Sequence, residues 1–155
     1  MKWYIRLLRS FRYAGAGIAH AVRTERNLRV HLTAAVLAHL LGFMAELPSG
    51  EMAVISLCCG LVIGLELMNT AVEAVCDKVS PQRDPLIRIA KDTAAGAVLA
   101  AAGFSVLAAV WLFGEWILSG GLWTALRSRP VIDACMAAVL IGGFFFIRRD
   151  GPPSD

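Results

Sequence analysis

Met52-Ala-Val-Ile-Ser-Leu-Cys-Cys-Gly-Leu-Val-Ile-Gly-Leu-Glu66-Leu-Met-Asn69-Thr-Ala-Val-Glu73-Ala-Val-Cys-Asp77 is the stretch on which the fold turns. Residues 52–65 carry no charge, and polar groups then recur at 66, 69, 73 and 77. With Glu66 at zero on a helical wheel, Asn69 falls at about −60°, Glu73 at about −20° and Asp77 at about +20°. Four polar groups share one narrow face of an otherwise apolar helix. Ionisable side chains inside a bilayer are costly and mark functional sites. Carboxylates stacked on one face repel each other unless a cation or a proton neutralises them. Mg²⁺ suits such oxygen ligands, with a phosphate completing its shell. A polar seam between helices, with the glutamates protonated, is the structural alternative.

The composition around this stretch agrees with a membrane setting. Hydrophobic residues make up 57% of the 155 residues and charged residues 17%, against about a quarter charged in a soluble domain. Residues 94–113 are also free of charge, and a run of about 18 or more such residues reads as a span. Residues 1–12 are dense in charge with no apolar run after them, so a cleavable signal is not expected. The four cysteines, Cys58, Cys59, Cys76 and Cys135, show no CxxC or Cys/His spacing. They read as small hydrophobes rather than metal ligands or disulfide partners.

The spacing predicts an all-α membrane protein. An amphipathic helix over residues 2–23 carries Lys2, Arg6, Arg9 and Tyr13 on one side and Tyr4, Leu7, Leu8 and Phe11 on the other. Such a helix lies in the interface, with Trp3 and Tyr4 at headgroup level. Three core spans follow at about 30–47, 52–76 and 93–118, and a candidate fourth at 131–147 is near the lower limit of length. The third span is rich in small residues, which let helix backbones approach closely in lipid, so it is expected to be central in packing within an oligomer. Residues 1–118 form the core domain, and 119–155 a C-terminal extension. Seven of the 15 Lys and Arg precede residue 30 and four more lie between Lys78 and Lys91, while 46–51 holds none. Basic residues mark cytoplasmic loops, so these stretches read as membrane anchors rather than nucleic-acid contacts. With Arg148 and Arg149 after the fourth span, both termini are expected inside. Arg127 and Arg129, which would then face out, fit that topology poorly.

Glu25 lies where the amphipathic helix meets the first span, on the same side as Glu73 and Asp77. Lys91-Asp92 opens the third span. Lys91 reads as a free cation beside the anionic face, suited to phosphate, and Asp92 as a helix cap.

These residues resemble the prokaryotic diacylglycerol kinase and undecaprenol kinase family. The matching motifs are Ser10-Phe-Arg-Tyr13-Ala, Gly17 with Glu25 eight residues on, Glu25-Arg-Asn-Leu-Arg29, and the element from Glu66 to Asp77. Pro85 and Ile89-Ala-Lys91-Asp92-Thr-Ala-Ala-Gly96-Ala-Val98 complete the set, which covers about residues 3–118. The resemblance implies a homotrimer of three-span subunits in the bacterial cytoplasmic membrane, binding ATP on the cytoplasmic side. It implies that Glu25 and Glu73 hold Mg²⁺, that Glu66 is general base for a lipid hydroxyl, and that Asn69 supports it. Lys91 would contact phosphate. Tyr13, Asp77 and Asp92 would line the nucleotide pocket, and Arg6 and Arg9 would lie near the lipid. The Glu-Arg-Asn-x-Arg-x-His and Asn-Thr-Ala forms look more like the undecaprenol kinase branch, slightly favouring undecaprenol over diacylglycerol. Walker A and kinase glycine loops are missing, and residues 119–155 have no counterpart in the motifs. From the residues alone, an ion- or proton-coupled transporter or a non-catalytic membrane scaffold stays open. No internal repeat, such as many transporters carry, is visible.

Overall fold

The computed structural model describes residues 3–79 and 84–149, all in helices or short connections. The order is α1 (Trp3–Thr24), α2 (Arg26–Met44), α3 (Ser49–Val79), α4 (Pro85–Leu118), α5 (Gly121–Ser128) and α6 (Pro130–Arg148). Lys2, Arg83 and the 151–155 tail, all used in the sequence reading, lie outside the described residues.

Four helices are long and apolar enough to cross a membrane: α2, α3, α4 and α6. The candidate fourth span is therefore a full-length helix. The spans run longer than their apolar cores suggested, because polar residues continue the helices beyond the hydrocarbon. α3 has 31 residues and α4 has 34, against 19 each for α2 and α6. At about 1.5 Å per residue, α2 and α6 match a hydrocarbon core of about 30 Å, whereas α3 and α4 overshoot it by about 15–20 Å. Counted from the α2–α3 turn, Glu66 stands about 26 Å along α3, level with the start of α2. Glu73 and Asp77 stand about 10 and 16 Å further on. The overshoot thus carries the acidic face out of the apolar slab.

Local chemistry sets the ends. At the α2–α3 turn the Glu51 and Met52 amides donate to the Pro48 carbonyl at 3.0 Å. The α4 start is capped by Asp84, whose side chain accepts from the Leu86 amide at 2.7 Å with Pro85 in the first turn. This corrects the expectation for Asp92. It lies two turns inside α4, and its carboxylate meets Arg88 at 3.6 Å, an exposed (i, i+4) pair.

α3 and α4 form the main packed pair, through Val62, Val98 and Ala101 with Leu65 and Ala102 against them. Only part of the small-residue stretch is used so: Ala95, Gly96, Ala97, Ala100 and Gly103 are exposed on the single chain. α2 packs on α3 on one side and on α6 on the other. Gly42 permits the first contact, since a Cβ there would stand 2.6 Å from the Met52 Sδ, and Gly143 lies directly against Thr33 of α2. α1 touches α2 and α3 near its end, where Ala21 is its buried residue. Its stripe of Trp3, Tyr4, Leu7, Leu8 and Phe11 is exposed.

α5, absent from the sequence reading, turns the chain between α4 and α6 around Gly120, which takes a φ of 81° that suits glycine. Arg129 then pairs with Glu46 and also donates to the Phe43 carbonyl at 3.3 Å. The arginine that fitted the topology poorly is matched by an acid at its own end of the bundle. Four crossings would put the start of α1 and the end of α6 on one side of the membrane. A reporter fused after Asp155 should report the same side as one fused before Met1, and opposite sides would remove α6 as a span.

Candidate active site

One end of the bundle gathers the α1–α2 junction, the polar end of α3 and the start of α4. Glu25 is the single residue between α1 and α2. It has extended geometry (φ −93°, ψ 113°), and its carboxylate makes no capping hydrogen bond although it stands at the N-cap of α2. A glutamate is too long to fold back easily onto the first-turn amides, so this side chain is left for other partners.

Glu66 is buried, at 3% exposure. It interacts electrostatically with His31 of α2, with Glu25 and with Glu73, and with no hydrogen-bond donor among the described residues. Asn69 donates to the Glu73 Oε1 at 3.0 Å, one turn along. That bond orients the Glu73 carboxylate, while the Asn69 Oδ1 is buried without a partner. Thr70, in the same motif, turns its hydroxyl back to the Glu66 carbonyl at 3.0 Å and so belongs to the helix rather than the site.

Asp77 and Lys91 close the polar end, with 2.8 Å between the Lys91 Nζ and the Asp77 Oδ1. Lys91 is therefore not the free cation of the sequence reading. The connection from α3 to α4 is short enough to bring the two side chains level. Glu73 also lies within electrostatic reach of Lys91. The Asp77 side chain is 69% exposed, and solvent screening weakens an ion pair this open. Lys91 can exchange Asp77 for a stronger anion at little cost.

The cluster therefore unites Glu25, Glu66, Asn69, Glu73, Asp77 and Lys91. Arg6, Arg9 and Tyr13 stand exposed on α1, where Arg12 lies over the Tyr13 ring at 5.6 Å. Among the described residues none of these three hydrogen-bonds to the α3 carboxylates. Asp92 is engaged with Arg88.

Two neighbours had no role in the sequence reading. His31 faces Glu66 and also lines a cavity of about 340 Å³ between α2, α3 and α4. The rest of that lining is almost wholly apolar, including Ala35, Cys59, Val62, Ala102 and Phe113. His31 is thus common to the surroundings of the buried carboxylate and to the cavity. Arg29 is buried beneath the α1–α2 junction. Among charged residues at a membrane edge, neither spacing nor composition distinguishes a buried arginine from a solvated one.

Among the described residues, no three His, Cys, Asp or Glu side chains form a metal cage. The available donors are two or three carboxylates. That set fits an ion such as Mg²⁺, which commonly takes one or two carboxylates and fills its shell with phosphate oxygens and water. The four cysteines are free.

The family profile described as prokaryotic diacylglycerol kinase matches residues 12–113. The chain is 41% identical over 108 residues to an undecaprenol kinase of Bacillus subtilis, covering 70% of this chain and 88% of that protein. It is 45% identical over 102 residues to a diacylglycerol kinase of Synechocystis, covering 65% of this chain and 58% of the relative. A diacylglycerol kinase of Pseudomonas aeruginosa is 33% identical over 106 residues, covering 68% and 85% respectively. No solved structure matches.

A buried carboxylate without a donor destabilises the fold that holds it. Glu66→Gln keeps the shape and removes the charge. The detergent-solubilised melting temperature should stay level or rise. A fall of several degrees would mean that Glu66 carries a structural bond instead.

Proposed function

The chain belongs to the prokaryotic diacylglycerol kinase family, and on that footing we propose that it phosphorylates the hydroxyl of a membrane lipid with ATP and Mg²⁺ at the cytoplasmic face of a bacterial membrane. The observation that carries this reading is the grouping of Glu25 and Glu73 around the buried Glu66, with His31 shared between that group and the lining of an apolar cavity. A nucleotide arrives from water and a lipid from the bilayer, so a lipid kinase needs a charged half-site joined to an apolar one.

The roles follow from position. The lipid oxygen attacks the γ-phosphorus of ATP as the bond to the β-phosphate bridging oxygen breaks, and ADP leaves. Glu66 accepts the hydroxyl proton, because among the described carboxylates it is the buried one. Glu25 and Glu73 would hold Mg²⁺, which would neutralise charge on the transferring phosphates. Asn69 keeps the Glu73 carboxylate turned toward that position. Lys91 leaves Asp77 to contact phosphate, and Asp77 then faces the nucleotide. Phosphoryl transfer is mostly positioning and charge neutralisation, so this short set of groups suffices without a phosphate-binding glycine loop.

The apolar stripe of α1 rests on the headgroup layer, with Arg6 and Arg9 near the lipid and Tyr13 near the nucleotide. These groups reach the site within a homotrimer, where one subunit's α1 meets a neighbour's carboxylates; their separation from the carboxylates within one chain supports such sharing. The open Ala95–Gly96–Ala97 surface of α4 supplies a close helix contact for that assembly. Undecaprenol is slightly favoured over diacylglycerol, on the Glu-Arg-Asn-x-Arg-x-His and Asn-Thr-Ala forms of the motifs.

Purified protein in mixed micelles with radiolabelled ATP, Mg²⁺ and a panel of lipids should transfer label to a polyprenol more readily than to diacylglycerol. Absence of transfer to any lipid hydroxyl would refute the enzyme reading. Glu66→Gln should lower kcat by about 10² to 10⁴-fold with nucleotide affinity unchanged, and a wild-type rate would remove Glu66 as base. Glu73→Ala should raise the Mg²⁺ concentration for half-maximal rate, whereas an unaltered Mg²⁺ titration would assign that carboxylate elsewhere.

A further inference from the structure

Arg29 is 5% exposed, one of two buried charged residues among those described. It lies one turn after Glu25, and its guanidinium reaches back over the α1–α2 junction. The Nη1 donates to the Val22 and Arg23 carbonyls, both at 3.0 Å. These belong to the last turn of α1, whose carbonyls lack helical partners. The Nη2 donates to the Arg149 carbonyl at 3.1 Å, at the far end of α6. One side chain thus ties three strands of the architecture together: the end of α1, the start of α2 and the end of α6.

Glu25 sits inside this tie. Its amide donates to the Ala21 carbonyl at 2.8 Å and its carbonyl accepts from the Arg29 amide at 3.4 Å. Its own carboxylate has no capping bond that would fix it. A single-residue elbow in extended geometry swings with the angle between the helices it joins. The guanidinium sets that angle, because it bonds the carbonyls on one side of the elbow from a position on the other. Arg suits this work, since its rigid fork meets several acceptors at once and it stays charged when buried.

We propose that Arg29 is the positioning residue for Glu25, and that α6 is a working part of the metal site because the carbonyl at its C-terminal end holds the arginine's Nη2. The extension lies outside the 12–113 family match, yet its end touches the residue that brackets a family carboxylate. Contact between α6 and α2 through Gly143 and Thr33 holds that end in place. The inference rests on the reading of Glu25 as a metal ligand.

Mn²⁺ replaces Mg²⁺ as the probe, with free Mn²⁺ read by electron paramagnetic resonance during titration of the full-length protein in nanodiscs with a non-hydrolysable ATP analogue. Arg29→Met should weaken Mn²⁺ binding by about 10 to 100-fold, the range for losing a group that orients a ligand. Arg29→Lys should fall between that variant and the wild type. Gly143→Leu, whose side chain would collide with Thr33, should weaken binding in the same direction without touching the arginine. Analogue binding in EDTA should be equal in all variants. Wild-type Mn²⁺ binding that is indifferent to Glu25→Ala overturns the metal reading of Glu25 and this inference with it. Binding that depends on Glu25 but is unmoved in both Arg29→Met and Gly143→Leu overturns the inference alone. Should Arg29→Met fail to fold, Arg29→Lys and Gly143→Leu decide the question by the same titration.

Discussion

A carboxylate buried against apolar helices is the constraint from which the rest of this protein follows. Glu66 is almost fully enclosed, and no donor among the described residues relieves it. Moving such a group out of water costs several kcal/mol even after relaxation. A chain that keeps it there while two further glutamates converge on it holds strain that bound cations, or a proton taken up in turnover, can relieve. The length of α3 makes this tolerable. Its apolar segment is long enough to cross a membrane and its polar end rises beyond the start of α2. His31, which acts on Glu66, also lines the apolar cavity.

The bonds around that border divide into two kinds. Some hold geometry: Asn69 turns Glu73, and Arg29 closes the α1–α2 junction. Others are weak enough to yield. The exposed Lys91–Asp77 pair is one, since a charged ligand can displace it at small cost. Firm orienting bonds and yielding ion pairs together are what the proposed binding of a polyanionic nucleotide requires.

The C-terminal extension changes meaning once it is seen folded. In the chain it follows the family region as a separate apolar run. In space α6 packs along α2, is long and apolar enough to cross a membrane beside it and ends at Arg29. At the other end of the bundle Arg129 answers Glu46. The extension is thereby fastened to the first span at both of its ends, through charged or hydrogen-bonded contacts that flank an apolar helix pair.

What the sequence by itself determined is the part governed by period and polarity. Charge-free runs set four helices of spanning length, and residues 66, 69, 73 and 77 fell on one face because an α-helix repeats every 3.6 residues. The family followed from the resemblance of the motifs between Ser10 and Val98. What only the tertiary structure decided is the part that depends on which helices are neighbours. Asp92 reads as a cap in the chain because an apolar run begins beside it, yet Asp84 two turns earlier takes that role. Lys91 reads as free until α4 returns beside Asp77. His31 and Arg29 carry no periodic signal, and their partners lie on other helices or, for Arg29, also 120 residues away. Helical periodicity is a local property of backbone geometry, whereas a buried side chain's partners are set by packing between segments distant in the chain.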